Sequence, residues 1–428
     1  MCLTIPAQVI KLEKGKAVIQ ENDRFKQIQI SLVPNLKVGD WILYINDSAL
    51  EKIPRNEAKE ILELLEVPYQ KIDISRLSGK FRDIIQTSKS KDLTKEEVVY
   101  LLKTKELEQK ALFSEANLVR KTYIKDFICI HGIIEFSNFC KNDCLYCGLR
   151  KENLTLPRYR MSIEDIVNIA DKAVTEAGYK LLVLQSGEDY FYTDDILEEI
   201  IKKIKEKCRV FIFISIGERG YKCYERLKKA GASGVLFRFE TSNLELFKKL
   251  HPQGKNLANR FEHLRFMKEL GYFIATGSII GLPNQTIENL AEDILTTKKW
   301  AHMVSTGPFV PCDNTPLANL VHGNIEMSLK TIAILRLMMK NARIPVVTAL
   351  ETLAGENGRK RALQAGANSL MFNLTPENYR PFYKIYPDKF FQKETIWQKY
   401  GLFKYEESYK MLEERMTKEI EKEKYATN

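Results

Sequence analysis

The sequence predicts an α/β protein built on a (βα)8 barrel of the TIM type. A small β-barrel domain precedes it, and helical segments link and follow the two. Three observations carry this. Eight apolar runs of strand length recur between residues 131 and 376, amphipathic helical patterns separate them, and the first 68 residues keep a different rhythm of short β-branched runs and tight turns.

Residues 1–68 hold the runs Ala7–Leu12, Ala17–Gln20, Phe25–Leu32 and Trp41–Ile45. Lys-Gly, Asn-Asp and Val-Gly-Asp turns break them, and a helical stretch, Asn56–Glu66, closes the unit. Residues 69–130 read as a linker and lead-in helices: 70–91 is polar and Lys/Ser-rich, whereas Leu93–Lys125 reads as two helices. The first opens on a capping box, Thr94 followed three residues later by Glu97. The barrel runs are Ile133–Asn138, Leu181–Gln185, Val210–Ser215, Gly234–Glu240, Phe273–Ile280, Met303–Val310, Pro345–Leu350 and Ser369–Leu374. Parallel strands covered on both faces read as such unbroken apolar runs. A doubly wound open sheet is the other architecture this alternation permits. Residues 377–428 form a C-terminal helical segment, highly charged over Tyr405–Lys424 and suited to packing on a surface.

The 66 basic and 56 acidic residues leave a net charge of +10. The lysines are scattered among acids, as in Ile200–Lys207, and no aromatic-basic stripe accompanies them, which argues against nucleic acid. No apolar run reaches the roughly 18 residues a membrane span needs, and the start lacks the order of a secretory signal. A cytoplasmic protein with reduced thiols is expected. Of its eight cysteines three are clustered, which argues for metal rather than disulfides.

That cluster, Cys140-Lys141-Asn142-Asp143-Cys144-Leu145-Tyr146-Cys147, directly follows the first barrel strand, where barrel enzymes place their chemistry. Three thiolates in one loop can hold three irons of a 4Fe–4S cubane and leave the fourth open to an external amine and carboxylate. A structural zinc site would need a fourth ligand, and none lies near in sequence.

The motif resembles that of the radical S-adenosylmethionine (SAM) superfamily, and more narrowly of FeFe-hydrogenase maturases of the HydE type. The likeness spans roughly 92–385 and rests on Gly132–Asn138, Tyr159-Arg160, Leu184–Asp189, Ser215–Glu218, Arg238–Thr241, Leu250–Pro252, Gly281–Thr286, Gly307–Phe309 and Thr348–Leu350, in this order. It implies one 4Fe–4S cluster and SAM as cofactors. Tyr146 would pack near the adenine. Ser186, Gly187 and Glu188 would meet the methionyl and ribose groups, Arg238 and Glu240 would point the same way, and Arg260 would grip the SAM carboxylate. Thr348 matches a substrate-side threonine. Two departures stand out: Phe239 replaces a histidine common between the matched Arg and Glu, and no cysteine follows Cys312, so a second cluster beyond the barrel is not expected. Cys208, Cys223 and Cys312 read as small buried residues.

Residues 1–68, through Met1–Val9, Leu32-Val33-Pro34 and Val38-Gly39-Asp40, resemble the HypC/HupF hydrogenase-maturation chaperones. That resemblance makes Cys2 a candidate iron ligand, although the family's histidine is missing from residues 1–130. Together the two halves imply a SAM-cleaving enzyme of hydrogenase-type metallocofactor maturation. Its substrate would be an iron–cyanide/carbonyl–cysteine species or another sulfur-containing small molecule, its electron donor a reductase or ferredoxin-type protein, and its N-terminal unit would engage a maturation partner. The competing readings are a carbon-skeleton mutase like methylornithine synthase and a non-catalytic Fe–S scaffold or carrier.

Overall fold

The computed structural model describes residues 5–21, 24–45, 47–65, 72–124, 128–252 and 256–390, together with 416, 417, 420 and 421. Cys2 and the charged stretch 405–415 lie outside the described residues.

The N-terminal unit is a closed barrel of five strands: β1 (Ile5–Glu13), β2 (Lys16–Glu21), β3 (Arg24–Gln29), β4 (Trp41–Ile45) and β5 (Ser48–Ile53). They stand in the order β1-β2-β3-β5-β4, with β4 returning to pair β1. Alternate residues fill it: Ala7 and Val9, Ala17 and Ile19, Ile42 and Tyr44 are buried together. The sequence pattern missed β5, because Ser48–Ile53 carries two charges among its six residues. The stretch 70–91, expected to be a linker, contains a helix, Gly79–Thr87, capped by the Ser78 hydroxyl. Its Phe81, Ile84 and Ile85 are buried in the main core. The two lead-in helices, Lys95–Lys103 and Glu106–Tyr123, form as expected, the first with a reciprocal Thr94–Glu97 box.

Ten further strands follow: β6 (Cys129–Ser137), β7 (Leu181–Ser186), β8 (Phe211–Ser215), β9 (Gly234–Leu236), β10 (Phe273–Thr276), β11 (Ile279–Ile280), β12 (Met303–Val304), β13 (Gly307–Pro308), β14 (Pro345–Val346) and β15 (Ser369–Asn373). Eight make one parallel sheet, β12-β10-β9-β8-β7-β6-β15-β14. Its two ends meet through a Met303–Arg343 bridge, where the Val304 amide donates to the Arg343 carbonyl at 2.8 Å, so the barrel is nearly closed.

Two runs expected as single strands, Phe273–Ile280 and Met303–Val310, each break in two. The Thr306 hydroxyl accepts from the Ser278 amide at 3.0 Å and donates to the Ser278 carbonyl at 2.9 Å, so a side chain replaces the ladder at this height. Gly277 permits the approach: a Cβ there would sit 2.5 Å from the Ser305 carbonyl oxygen.

Inside the barrel, Ile133, Leu181, Val183, Phe211, Phe213, Phe273, Ala275 and Met303 form an apolar floor, with Met416 packed against it. The intervening Leu182, Leu184, Ile212 and Ile214 face the helices instead. At the outer base, the fully buried Arg336 donates to the carbonyls of Met339, Lys340 and Gly366 and to Asn368 Oδ1, which also accepts from the Ile344 amide. Asn368 thereby ties helix Ile325–Met338 to β14 and β15. Replacing Asn368 with Ala leaves a buried guanidinium one acceptor short and is expected to cost about 2–4 kcal/mol, read from the midpoint of denaturant unfolding.

Candidate active site

Above the floor, the inward register continues into polar residues. Ile133 is followed by Glu135, Val183 by Gln185, Phe213 by Ser215, Leu236 by Arg238 and Met371 by Asn373, and all five polar residues line a cavity of about 300 Å³. The cavity opens at the C-terminal ends of the strands, as ligand sites of this architecture do.

One wall of the cavity is the cysteine loop. Cys140, Cys144, Tyr146 and Cys147 all line it. The loop is held from behind by Arg158, whose guanidinium donates to four carbonyls: Asn138 at 2.5 Å, Leu149 at 2.9 Å, Arg150 at 2.7 Å and Asn153 at 3.1 Å. Arg160 grips Asp189 with two hydrogen bonds, 2.7 and 3.0 Å, and Asp189 also accepts from Ser137 at 2.7 Å. The end of β7 presses on the loop directly: the Glu188 amide donates to Cys140 Sγ at 3.4 Å, and the Lys141 amide donates to the Glu188 carbonyl at 3.1 Å. Gly187 makes this approach possible, since a Cβ there would fall 2.2 Å from the Phe139 oxygen and 2.8 Å from Cys140 Cβ.

Burial, and then the neighbouring thiols of Cys144 and Cys140, push the Cys147 thiol well up. A bound metal would favour the thiolate and offset that cost. Among the described residues no three His, Cys, Asp or Glu side chains gather on a single ion. Three cysteines can each take one iron of a cubane, whereas a closed zinc site needs a fourth ligand. The donor set and the loop therefore fit a cluster.

The opposite rim carries charge. Arg238 Nε lies 3.2 Å from Glu240 Oε2, yet neither atom makes a hydrogen bond of good geometry, and both are buried. Glu240 has φ +67°, and the turn that holds it there is anchored by Asp293. This carboxylate accepts from the Ser242 amide at 2.5 Å, the Ser242 hydroxyl at 2.6 Å, Thr241 at 3.3 Å and Gln285 at 3.0 Å. Burial raises the Asp293 pKa to about 6 in spite of these bonds. Arg260 donates to the Arg238 carbonyl and to Glu218, both at 2.7 Å, and lies over the Phe237 ring. Burial opposes its charge, but Glu218, Glu240 and Glu188 raise its pKa nonetheless. His251 Nδ1 faces the Phe247 carbonyl at 2.8 Å and so carries the proton, which makes Nε2 the acceptor of the Tyr146 hydroxyl at 2.9 Å. Buried polar atoms aimed at one another without bonding, beside an open cavity, fit a ligand bearing ammonium, carboxylate and hydroxyl groups.

Every described residue singled out from the sequence, Cys140, Cys144, Cys147, Tyr146, Ser186, Gly187, Glu188, Arg238, Glu240, Arg260 and Thr348, lines this one cavity. Thr348 opens the helix Thr348–Gln364 with no side-chain cap. Cys208, Cys223 and Cys312 are buried, and none lines it. Sequence reasoning passed over Glu135, Gln185, Asn373, His251, Tyr383, Tyr386 and Lys389, which also line it. For the first three the signal was present in the two-residue register. Lys389 reaches back from the C-terminal segment to pair with Glu135, whose other oxygen accepts from Asn373 at 2.9 Å, and no local pattern announces that contact.

Comparison with known proteins follows the same division. Residues 134–296 match the radical SAM superfamily, 1–65 the HupF/HypC family and 307–421 the biotin and thiamin synthesis associated domain. The chain is 42% identical over 318 residues to the [FeFe] hydrogenase maturase subunit HydE of Thermotoga maritima, covering 73% of this chain and 90% of that protein. It is 33% identical to the 3-methylornithine synthase of Methanosarcina acetivorans over 61% of this chain and 74% of that one. Among solved structures, the FeFe-hydrogenase maturase HydG of Carboxydothermus hydrogenoformans superposes with a TM-score of 0.63 at 25% identity, covering 79% of this chain and 80% of that one.

Two substitutions test the geometry. Gly187→Ala is expected to cost about 1–3 kcal/mol in a thermal or chemical melt and to speed alkylation of Cys140, because backbone must move. Asp293 holds its proton more tightly folded than unfolded. Its stabilising contribution is therefore full below the ordinary aspartate value of 3.8 and falls as pH rises through about 6. The stability of the wild type minus that of Asp293→Asn should thus fall by up to about 3 kcal/mol between pH 4 and 7, measured by denaturant unfolding.

Proposed function

This chain belongs to the HydE family of [FeFe] hydrogenase maturases within the radical SAM enzymes, and on that premise we propose that Cys140, Cys144 and Cys147 hold a single 4Fe–4S cluster. When bound, such a cluster supplies the electron that cleaves SAM to methionine and a 5′-deoxyadenosyl radical. The observation that carries the reading is the convergence on one cavity of the three thiols and the charged rim of Glu188, Arg238, Glu240 and Arg260.

The protein's own residues orient and enclose the reactants. Glu240 and Glu188 are placed to take an ammonium or ribose hydroxyls, and Arg238 to take a carboxylate. Arg260, committed to Glu218 at 2.7 Å, acts less as a free grip than as a fixed positive charge behind them, which modifies the role its position suggested. Tyr146, oriented by His251, packs beside the adenine, and Ser186 and Gly187 line the methionyl side. The far wall, with Thr348, Asn373, Gln185 and the Glu135–Lys389 pair, faces the substrate. Tyr383, Ile385 and Tyr386 close the cavity against water, tied to the cysteine loop where the Gly148 amide donates to the Ile385 carbonyl at 3.1 Å.

The substrate class that fits is an iron–cyanide/carbonyl–cysteine species or a related sulfur-containing small molecule. The N-terminal barrel would receive or deliver the iron unit through Cys2, in contact with a maturation partner, and a ferredoxin-type protein would supply electrons in the cytoplasm. A carbon-skeleton mutase reading is weaker, at 33% identity against 42%. Product analysis separates the two: an adenosyl adduct marks addition to the substrate, and intact 5′-deoxyadenosine marks hydrogen abstraction.

The test is anaerobic reconstitution followed by dithionite and SAM, with chromatography for 5′-deoxyadenosine. Cys144→Ser should lose the iron–sulfur absorption and lower product by at least about 100-fold. Cys2→Ser should cleave SAM normally yet fail to load the extra iron or to bind the partner; unchanged loading and binding would refute the transfer role.

A further inference from the structure

Large apolar side chains are exposed unevenly on the described residues. Between 129 and 390 they stand without exception on segments that follow the C-terminal ends of strands, Leu154, Tyr190, Phe191 and Val321 among them. One adjacent pair is aromatic, and both of its members are more than half exposed: Tyr190 at 51% and Phe191 at 55%. They follow Glu188, whose amide contacts Cys140 Sγ, and through Lys141 and Arg160 they pack beside the residues on either side of that cysteine.

Cations are stacked into the pair. Lys141 Nζ lies 4.4 Å from the Tyr190 ring centroid and 2.8 Å from its hydroxyl. Arg219 lies 4.2 Å from the same ring, and Arg160 bridges Phe139 at 3.8 Å and Phe191 at 4.5 Å. The acids that balance these cations lie mostly inward. The side chain of Lys141 is 47% exposed and that of its partner Glu188 6%, while Arg160 is 33% exposed and Asp189 3%. Arg219 is the exception, a buried strut under Tyr190. Leu154 and Lys151, both exposed, extend the patch along the loop that Arg158 clamps. The surface beside the cysteine loop is thus aromatic at its centre, with Lys141, Lys151 and Arg160 around it outnumbering one exposed acid, Glu152.

We propose that this patch, Tyr190 and Phe191 ringed by Lys141, Lys151 and Arg160, is the docking surface for an acidic one-electron donor protein. The inference rests on the radical SAM reading and names the partner of that site. Small redox encounters use compact, weakly held interfaces steered by opposite charge, with apolar contact at the centre. In each encounter the donor's iron centre loses one electron and the enzyme's cluster gains it. From Phe191 the route to Cys140 runs along three residues of backbone and one amide–sulfur contact.

The experiment compares two reductants on the reconstituted full chain, with 5′-deoxyadenosine as readout. One is dithionite; the other is an acidic [2Fe–2S] ferredoxin kept reduced by NADPH and its reductase. Phe191→Ser and Lys151→Glu should each lower the ferredoxin-supported rate about tenfold while the dithionite-supported rate stays within about twofold. Raising salt should slow the wild type with ferredoxin alone. Equal rates for wild type and variants with ferredoxin would overturn the proposal. So would a parallel fall with dithionite, which would make the patch a scaffold of the Cys140 turn. If both cleavage rates hold and only conversion of the substrate falls, the patch receives a delivery protein and the electron-donor assignment is wrong. A wild type that forms no product with dithionite refutes the underlying radical reading, and this one with it.

Discussion

Along a parallel strand the side chains alternate, and in this barrel five strands carry that alternation from an apolar residue to a polar one at matching heights. The apolar set closes the floor around Phe213, whose ring occupies the space a side chain at Gly234 would need; a Cβ there would come within 2.4 Å of it. The polar set, from Glu135 to Asn373, begins immediately above. A one-residue slip in any strand would turn its floor residue outward and its site residue into the helices. The position of the cavity is therefore fixed by the same packing that stabilises the barrel.

The cysteine loop needs a different device, because a loop has no ladder to satisfy its carbonyls. Arg158 meets that need by donating to four of them at once. Asp189 joins β6 to the β7 loop through Ser137 and Arg160. Both devices are charged groups removed from water, and burial lowers the Arg158 pKa in spite of the nearby Cys140 and Cys147. The thiols are thus presented by a frame that is rigid on its outer side and open toward the cavity, which is where a ligand must enter.

How much of this was legible depended on whether the signal was local. The cysteine spacing and its place after the first strand are sequence-adjacent features, and residues from β6, β7 and β9 were found through short ordered motifs. The eight barrel strands were legible as apolar runs, but their ends were not. Side-chain bonds such as Thr306 to Ser278 interrupt strands whose hydrophobicity continues. Fold-level contacts were invisible for the same reason. Lys389 meets Glu135 across 254 positions, and Glu218 meets Arg260 across 42. The helix Gly79–Thr87 was hidden by its polar setting, since only Phe81, Ile84 and Ile85 of its nine residues are buried.

The charge inventory of the cavity makes the strongest physical case for what belongs in it. In the lining, Glu135, Glu188 and Glu240 meet Lys389, Lys141 and Arg238 in ion pairs, and Arg260 meets Glu218 just behind it, so acids and bases balance. The three thiols add acidity that nothing else in the cavity offsets. Burial and the neighbouring thiols push the Cys147 thiol well up, and Arg158, which lies close enough to feel Cys140 and Cys147, is committed to carbonyls. Ionising all three would call for positive charge at the thiols themselves, which a metal cluster would bring and a lone small ligand would not. The balanced pairs across the cavity can open toward a zwitterion at little electrostatic cost, each carboxylate exchanging one cation for another. A site built in this way suits an occupant that carries its own ammonium and carboxylate.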